Sequence, residues 1–132
     1  MHVVAAIVIR DSTVFAARRA VGRASSGKWE FPGGKVELKE SPVIALQREI
    51  EEELGVLIRV LKQFDRTTTS SGEAVIDLDT YLCEFLNEDP DSSSDHDEFN
   101  WISISELSKY DFAEPDRPAI RKLIEWDINH VG

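Results

Sequence analysis

The chain has 132 residues, of which 42% are hydrophobic and 30% are charged, as in a soluble globular protein. This length fits one domain, residues 1–132, that can bury a substantial core. The formal net charge of −10 argues against binding of polymeric nucleic acid, which requires a basic surface. We expect no membrane association, because no apolar run approaches the roughly 20 residues of a membrane span and the opening residues lack the features of a signal peptide.

The single cysteine, Cys83, excludes an internal disulfide bond. It lies within an apolar strand pattern, where a small buried hydrophobic side chain is the expected role. We therefore expect a protein of the reducing cytoplasm. A monomer and a homodimer are both compatible with the sequence.

Strands are predicted on both sides of a central helix. Residues 2–10 are almost continuously apolar, as in a strand buried on both faces, and residues 14–18 are predicted to form its hairpin partner. Two longer strands are predicted over residues 56–69 and 74–86. Residues 70–73 supply the hairpin turn between them.

The last third of the chain predicts a polar loop over residues 87–98 and a short strand over residues 99–102. Ser103 and Glu106 have the spacing of a capping box, which predicts a short helix. A C-terminal helix is predicted over residues 116–130, with Ala119, Leu123 and Trp126 on its apolar face. The order of strands, helix, strands and helix predicts an α/β (α+β) fold with a mixed sheet and helices on its faces.

The central helix is predicted over residues 42–54, because both of its ends can be recognised in the sequence. Ser41 is a suitable N-cap, and Pro42 suits the first helical position, where no backbone N–H is needed. Gly55 suits the left-handed residue that commonly follows a helix.

Three carboxylates lie on one side of this helix, because Glu49, Glu52 and Glu53 have the spacing i, i+3 and i+4. Like charges at that spacing oppose helix formation, so a counter-charge is expected. The simplest counter-charge is a divalent cation such as Mg²⁺, which takes oxygen ligands and often shares them with substrate phosphates. A solvated acidic helix face is the alternative that these three residues alone leave open.

The segment from Gly34 to Val56 resembles the box that defines the Nudix family. The family pattern is G-x5-E-x7-R-E-U-x-E-E-x-G-U, where U is a bulky aliphatic residue. Its fixed positions are filled here by Gly34, Glu40, Arg48, Glu49, Ile50, Glu52, Glu53, Gly55 and Val56. The resemblance implies an α/β/α sandwich and a hydrolase that uses Mg²⁺ or Mn²⁺ to cleave a nucleoside diphosphate linked to another moiety.

The resemblance also implies roles for individual residues of the box. Glu49, Glu52 and Glu53 are expected to ligate the metal, and Glu49 or Glu53 is expected to act as general base. Arg48 is expected to complete the catalytic set by orienting these carboxylates through a salt bridge. The backbone of Gly33, just before the box, is expected to approach the metal or the phosphates.

Many relatives add a further carboxylate from a loop just before a strand that contains tryptophan. Here Asn100 directly precedes Trp101, so the closest form of that match is absent. Asp95, Asp97 and Glu98 are the nearby candidates. Solvated loop acids are the alternative interpretation.

Three cations that flank the box are candidates for phosphate contacts. Arg19, Arg23 and Lys35 are chosen because a trianionic tail requires local positive charge in a very acidic protein. A role in surface solubility alone is the alternative for each.

Further features resemble the MutT-like branch of the family, which hydrolyses nucleoside triphosphates to the monophosphate and pyrophosphate. The approach to the box reads KWEFPGGK, and the first hairpin ends in two arginines. Residues 112–118 match the place where that branch carries its base-reading residue, which is Asp116 here. The alternative role for Asp116 is to cap the last helix. Phe31 is expected either to form a wall of the base pocket or to belong to the core.

The base-reading position predicts the class of substrate. An ionised aspartate only accepts hydrogen bonds, which suits the exocyclic amino group of cytosine, although some relatives that act on oxidised purines also have Asp there. The expected substrate is therefore CTP, dCTP or 5-substituted dCTP, or an oxidised nucleotide such as 8-oxo-dGTP, as in nucleotide-pool sanitation. The alternatives are a Nudix diphosphatase of coenzyme A, whose pattern is partly matched by Arg23, Gly27 and Phe31, and a non-catalytic nucleotide-binding module.

Overall fold

The computed structural model describes residues 1–22 and 26–131, and within these residues it has seven strands and two α-helices. The strands are β1 His2–Arg10, β2 Thr13–Arg19, β3 Trp29–Glu30, β4 Gly33–Lys35, β5 Ile58–Ser71, β6 Ala74–Phe85 and β7 His96–Ser103. The helices are α1 Pro42–Leu54 and α2 Arg117–Val131, and the 3-10 turns Ile104–Lys109 and Glu114–Asp116 lie between β7 and α2.

Strand β1 lies at the centre of a mixed sheet. It pairs in parallel with β6 and antiparallel with β4, and its last two residues pair antiparallel with β2. Strand β5 extends the sheet beyond β6, whereas β2 also pairs with β3 and β7. The predicted hairpins β1–β2 and β5–β6 both form.

The two apolar faces of β1 explain the layers of the fold. On one face, Val4 and Val8 pack with Leu46 of α1 and its apolar neighbours. On the other face, Ile7 packs in a second cluster that includes Leu123 of α2. Each fully buried side chain of this size contributes about 1.5–3 kcal/mol to folding. The predicted α/β/α sandwich is confirmed.

Helix α1 has the predicted bounds and the predicted caps. Ser41 Oγ accepts a hydrogen bond from the backbone N–H of Ile44 at 3.2 Å. Gly55 adopts the left-handed conformation, with φ 71°, and its N–H donates to the carbonyl of Glu51 at 3.0 Å. These caps fix where the acidic side of the helix begins and ends relative to the sheet.

The last third of the chain differs from the sequence prediction in three places. Residues 96–98 belong to β7 and not to a polar loop, because pairing with β2 outweighs their local composition. The capping box does not form: Ser103 makes no side-chain cap hydrogen bond, and the following turns are 3-10 helix. Trp126 is 39% exposed, so it lies at the margin of the apolar face of α2 and not within it.

Cys83 is buried in β6, as expected for a structural cysteine. Burial raises the pKa of its thiol to about 12, which keeps the thiol protonated and unreactive at neutral pH. Across residues 1–22 and 26–131, no helix has both the length and the apolar character needed to cross a membrane.

Candidate active site

A cleft of about 330 Å³ opens beside β1, between the strand ends and the turn before α2. Six of the residues singled out in the sequence line it together, namely Arg19, Phe31, Gly33, Gly34, Lys35 and Asp116. These residues come from three separate stretches of the chain. The fold therefore gathers the candidate phosphate-binding and base-binding residues at one opening.

Asp116 is buried in the wall of this cleft, with 6% of its surface exposed. Burial raises the pKa of its carboxyl well above the ordinary 3.8, and the nearby carboxylate of Glu30 raises it further. The backbone N–H of Phe31 donates a hydrogen bond to this carboxyl, which opposes the rise. The raised pKa favours the neutral acid, which can donate one hydrogen bond and accept others.

Phe31 satisfies both interpretations made from the sequence. Its side chain belongs to the core and is only 3% exposed, with its ring centroid 5.5 Å from that of Phe112. It also lines the cleft beside Asp116. The residue thus joins the cleft wall rigidly to the core beneath it.

Gly33 and Gly34, at the start of the box, allow close packing that no side chain could tolerate. A Cβ atom at Gly33 would lie 1.9 Å from the carbonyl oxygen of Val4. A Cβ atom at Gly34 would lie 2.3 Å from Oε2 of Glu49. The carboxylate of Glu49 therefore lies directly against the backbone of the turn.

Arg48 binds several carboxylates of the box at once. Its Nε and Nη2 donate to the two oxygens of Glu40 at 2.7 and 2.9 Å. Its Nη1 donates to Glu49 at 2.9 Å and to Glu52 at 3.1 Å. The hydrogen bonds from Arg48 lower the pKa of Glu40 to about 2, and they raise that of the guanidinium. The side chain of Glu52 remains 61% exposed, so it is the most accessible of the three candidate metal ligands.

Glu53 lies in a second cluster, with Glu30 and His96. One ligand atom from each of these three residues lies within 4.8 Å of the others. Burial raises the pKa of Glu53 to about 8, and the carboxylates of Glu30, Asp95 and Glu49 contribute to the rise. Its Oε1 atom is buried and accepts no hydrogen bond from the part of the chain that the structure describes.

This arrangement fits a divalent cation. A buried carboxylate oxygen without a hydrogen-bond donor, surrounded by further carboxylates, is electrostatically unfavourable unless a positive charge compensates it. The carboxylate oxygens of Glu49, Glu52 and Glu53 suit a hard divalent cation such as Mg²⁺ or Mn²⁺.

Glu30 and His96 were not among the site residues predicted from the sequence. They are separated from Glu53 by long stretches of chain, so no local spacing joins them. The polar composition of residues 87–98 hides the start of β7, so the sequence carries no local signal for His96. Pairing of Arg19 with His96 across β2 and β7 brings the histidine to the site.

The three candidate loop carboxylates, Asp95, Asp97 and Glu98, lie in different surroundings. Asp97 and Glu98 interact with Arg18, at 2.8 and 3.5 Å, on the exposed side of β7. Asp95 lies close enough to Glu53 to raise its pKa. Asp95 is therefore the loop acid that the fold brings to the box.

The candidate phosphate ligands differ in their surroundings. Arg19 Nη1 lies 3.4 Å from Oε2 of Glu30 at the cleft, and the side chain of Lys35 is exposed at its rim. The backbone carbonyl of Lys35 accepts a hydrogen bond from Arg48 at 3.1 Å. Arg23 lies outside the described residues.

Comparisons with known proteins agree with this geometry. The family model described as the NUDIX domain matches residues 1–126. The chain is 31% identical to the 8-oxo-dGTP diphosphatase of Escherichia coli over 113 residues, covering 86% of this chain and 87% of the relative. It is 33% identical to the CTP pyrophosphohydrolase of the same organism over 129 residues, covering 94% of this chain and 91% of the relative.

The solution structure of the E. coli ORF135 protein superposes with a TM-score of 0.84 at 31% sequence identity, covering 98% of this chain and 91% of that chain. The fold, the box and the sequence relatives therefore agree. The chain belongs to the Nudix family of hydrolases.

Proposed function

We propose that this chain is a Mg²⁺- or Mn²⁺-dependent nucleoside triphosphate pyrophosphohydrolase that converts a (d)NTP to the (d)NMP and pyrophosphate. The observation that carries the proposal is the cleft that joins Asp116 and Phe31 to Arg19, Lys35 and Gly33. A base-reading group and candidate phosphate ligands in one opening suit a nucleotide that carries a charged tail. The similarity to an 8-oxo-dGTP diphosphatase and a CTP pyrophosphohydrolase supports the same reaction.

The metal would be held by the carboxylates of Glu49, Glu52 and Glu53, with the backbone of Gly33 beside them. A bound divalent ion would lower the pKa of a water molecule and offset the charge of the phosphates. The unfavourable burial of Glu53 among other carboxylates supports this assignment, because a cation would relieve it.

The remaining chemistry consists mainly of positioning and charge stabilisation. Arg48 holds Glu49 and Glu52 in place through its guanidinium group. Arg19 and Lys35 bind the phosphate tail, and Arg19 would exchange its contact with Glu30 for one with substrate. The general base that accepts a proton from the attacking water is Glu49 or Glu53.

The neutral form of Asp116 favours particular base edges. A protonated carboxyl presents a donor and an acceptor side by side, which matches N3 and the N4 amino group of cytosine. The same donor and acceptor match O6 and N7–H of 8-oxoguanine. They do not match unmodified guanine, because its N7 is an acceptor. The substrate is therefore a cytosine nucleotide (CTP, dCTP or 5-substituted dCTP) or 8-oxo-dGTP, and the role is nucleotide-pool sanitation.

We further propose that residues 1–132 form one domain that acts in the cytoplasm as a monomer or a homodimer. Its substrate is a small nucleotide, and it binds neither polymeric nucleic acid nor a membrane. The net charge of −10 supports the exclusion of nucleic acid.

The test is Mg²⁺-dependent release of pyrophosphate from dCTP, 5-methyl-dCTP, CTP and 8-oxo-dGTP by the wild type and by Asp116→Asn. We expect turnover of at least one of these nucleotides and a changed order of preference in the variant. Asp111→Asn, an exposed aspartate of the same segment, is the matched control and should leave the order unchanged.

Two outcomes would contradict the proposal. If no triphosphate is hydrolysed but a nucleotide binds without metal, the protein is a non-catalytic binding module. If Asp116→Asn keeps the wild-type order of preference, Asp116 does not read the base.

A further inference from the structure

His96 is a fully buried polar side chain at the first position of β7, and its imidazole is 0% exposed. Its Nε2 atom lies 2.8 Å from Oε2 of Glu30 and 3.3 Å from Oε1 of Glu53. The ring thus stands between two carboxylates that belong to different elements, β3 and α1. The reaction proposed above assigns no role to this histidine.

The other ring nitrogen of His96 is also engaged. Nδ1 lies 3.0 Å from the hydroxyl of Ser93, and that hydroxyl also accepts a hydrogen bond from the backbone N–H of Asp95 at 3.1 Å. The bond made by one ring nitrogen sets the proton on the other. When the Ser93 hydroxyl donates to Nδ1, the proton of the neutral ring is on Nε2 and is directed at the carboxylates.

The position of the ring has an electrostatic consequence. Glu30, Asp95 and Glu49 all repel the charge of Glu53, as the raised pKa of Glu53 records. The Nε2–H group donates its hydrogen bond to Glu30, and it lies 3.3 Å from Oε1 of Glu53 without a hydrogen bond to that atom, so its partial positive charge opposes the repulsion between the two carboxylates. A packing role alone would be served by an apolar side chain of similar size.

We propose that His96 is a positioning residue for the hydrolytic reaction: fixed by Ser93, it holds the carboxylates of Glu30 and Glu53 together so that Glu53 is preorganised to bind the divalent ion. The proposal rests on the assignment of Glu53 as a metal ligand. Groups that orient metal ligands commonly change metal affinity or activity by about 10–100-fold when they are removed.

The experiment measures Mn²⁺ affinity by electron paramagnetic resonance, kcat and KM, and the melting temperature of the metal-free protein. His96→Ala should weaken Mn²⁺ binding by about 10-fold or more and lower kcat more than it changes KM. His96→Gln should recover part of the loss, because its amide NH₂ can donate from near the position of Nε2. Ser93→Ala should produce a smaller loss in the same direction.

His2→Ala is the matched control. His2 also bonds a buried carboxylate, with its Nε2 2.6 Å from Oδ2 of Asp79, but this pair lies outside the box cluster. We expect this variant to lose thermal stability while its Mn²⁺ affinity stays within about twofold of the wild type, since it removes a buried hydrogen bond alone. Ser92→Ala, an exposed serine of the same loop as Ser93, controls for changes in the loop.

Folded His96→Ala with wild-type Mn²⁺ affinity and kcat would overturn the proposal and leave His96 a structural role only. If His96→Ala does not fold, wild-type Mn²⁺ affinity in both Ser93→Ala and a folded His96→Leu, which fills the site without a donor, would overturn it equally. Glu53→Gln separates the two assignments: if that variant keeps wild-type Mn²⁺ affinity, the metal role of Glu53 fails whatever the histidine variants show.

Discussion

Two parallel hydrogen bonds join Arg48 to Glu40, with Nε 2.7 Å from one carboxylate oxygen and Nη2 2.9 Å from the other. This bidentate geometry is the strongest form of the pair and fixes the plane of the guanidinium group. The remaining nitrogen, Nη1, is thereby directed at Glu49 and Glu52. Glu40 thus orients the guanidinium group that holds the carboxylates of Glu49 and Glu52 on α1.

Replacing Glu40 by Gln should destabilise the protein in a pH-dependent way. The pKa of Glu40 is lowered to about 2 from 4.5, so its pair with Arg48 stabilises the fold above about pH 4.5 and the effect is lost as the pH falls through 2. The melting temperatures of wild type and Glu40→Gln should therefore differ at neutral pH and converge in acid. Glu84→Gln, which removes an exposed ion pair with Arg59, should change little at any pH.

Gly33 and Gly34, at the start of the box, should respond differently to substitution by alanine. Gly33→Ala places a methyl group against the backbone carbonyl of Val4, which cannot easily move, so we expect a loss of stability of about 1–3 kcal/mol. Gly34→Ala instead meets the end of the Glu49 side chain, which can rotate away. That variant should lose more activity than stability, as judged by thermal melting and kcat. Equal stability losses in both variants would contradict this distinction.

Glu53→Gln should separate stability from activity. On folding without metal, Glu53 must either bind a proton or bury its charge near Glu30, Asp95 and Glu49, and the amide of the variant avoids both, so the metal-free variant should melt at a higher temperature than the metal-free wild type at neutral pH. Adding Mg²⁺ should stabilise the wild type and have little effect on the variant. Turnover should fall by more than about 100-fold, since even groups that only support metal ligands contribute up to that amount.

Asp116→Asn should flatten the dependence of stability on pH. Because the folded-state pKa of Asp116 is raised above 3.8, its neutral form stabilises the fold below the unfolded pKa, and this contribution is lost as the pH rises through the raised value. The wild type should therefore lose stability relative to the variant as the pH increases. Chemical denaturation across a pH series measures the effect, and parallel curves for the two proteins would contradict it.

Local signals in the sequence were sufficient for the central part of the fold. The caps at Ser41 and Gly55 determine α1 to the residue, because capping depends on side chains within a turn of the helix end. The continuous apolar run of β1 and the hairpin turns are likewise features of neighbouring residues in the sequence. Asp116 was identified through a resemblance of the surrounding segment, and the raised pKa of its carboxyl followed only from its burial.

The contribution of His96 could not be predicted in the same way. Its stretch is polar, and it becomes a strand only because β2 offers hydrogen-bonding partners from far away in the sequence. Glu30 and Glu53 approach the imidazole from two further elements. Contacts of this kind depend on the assembled sheet, so no local pattern contains them.

The central place of β1 has a consequence for how the protein assembles. Its parallel partner is β6, so that His2 pairs with Asp77 and Val8 with Cys83. The N-terminal strand therefore leaves the ribosome long before its partner has been synthesised, and α1 emerges while the sheet against which it packs is incomplete. Pairings between such distant residues slow folding, because the loop between them must close before any contact stabilises it. We expect the acidic cluster of the box to form late, as one of the last parts of the molecule to become ordered.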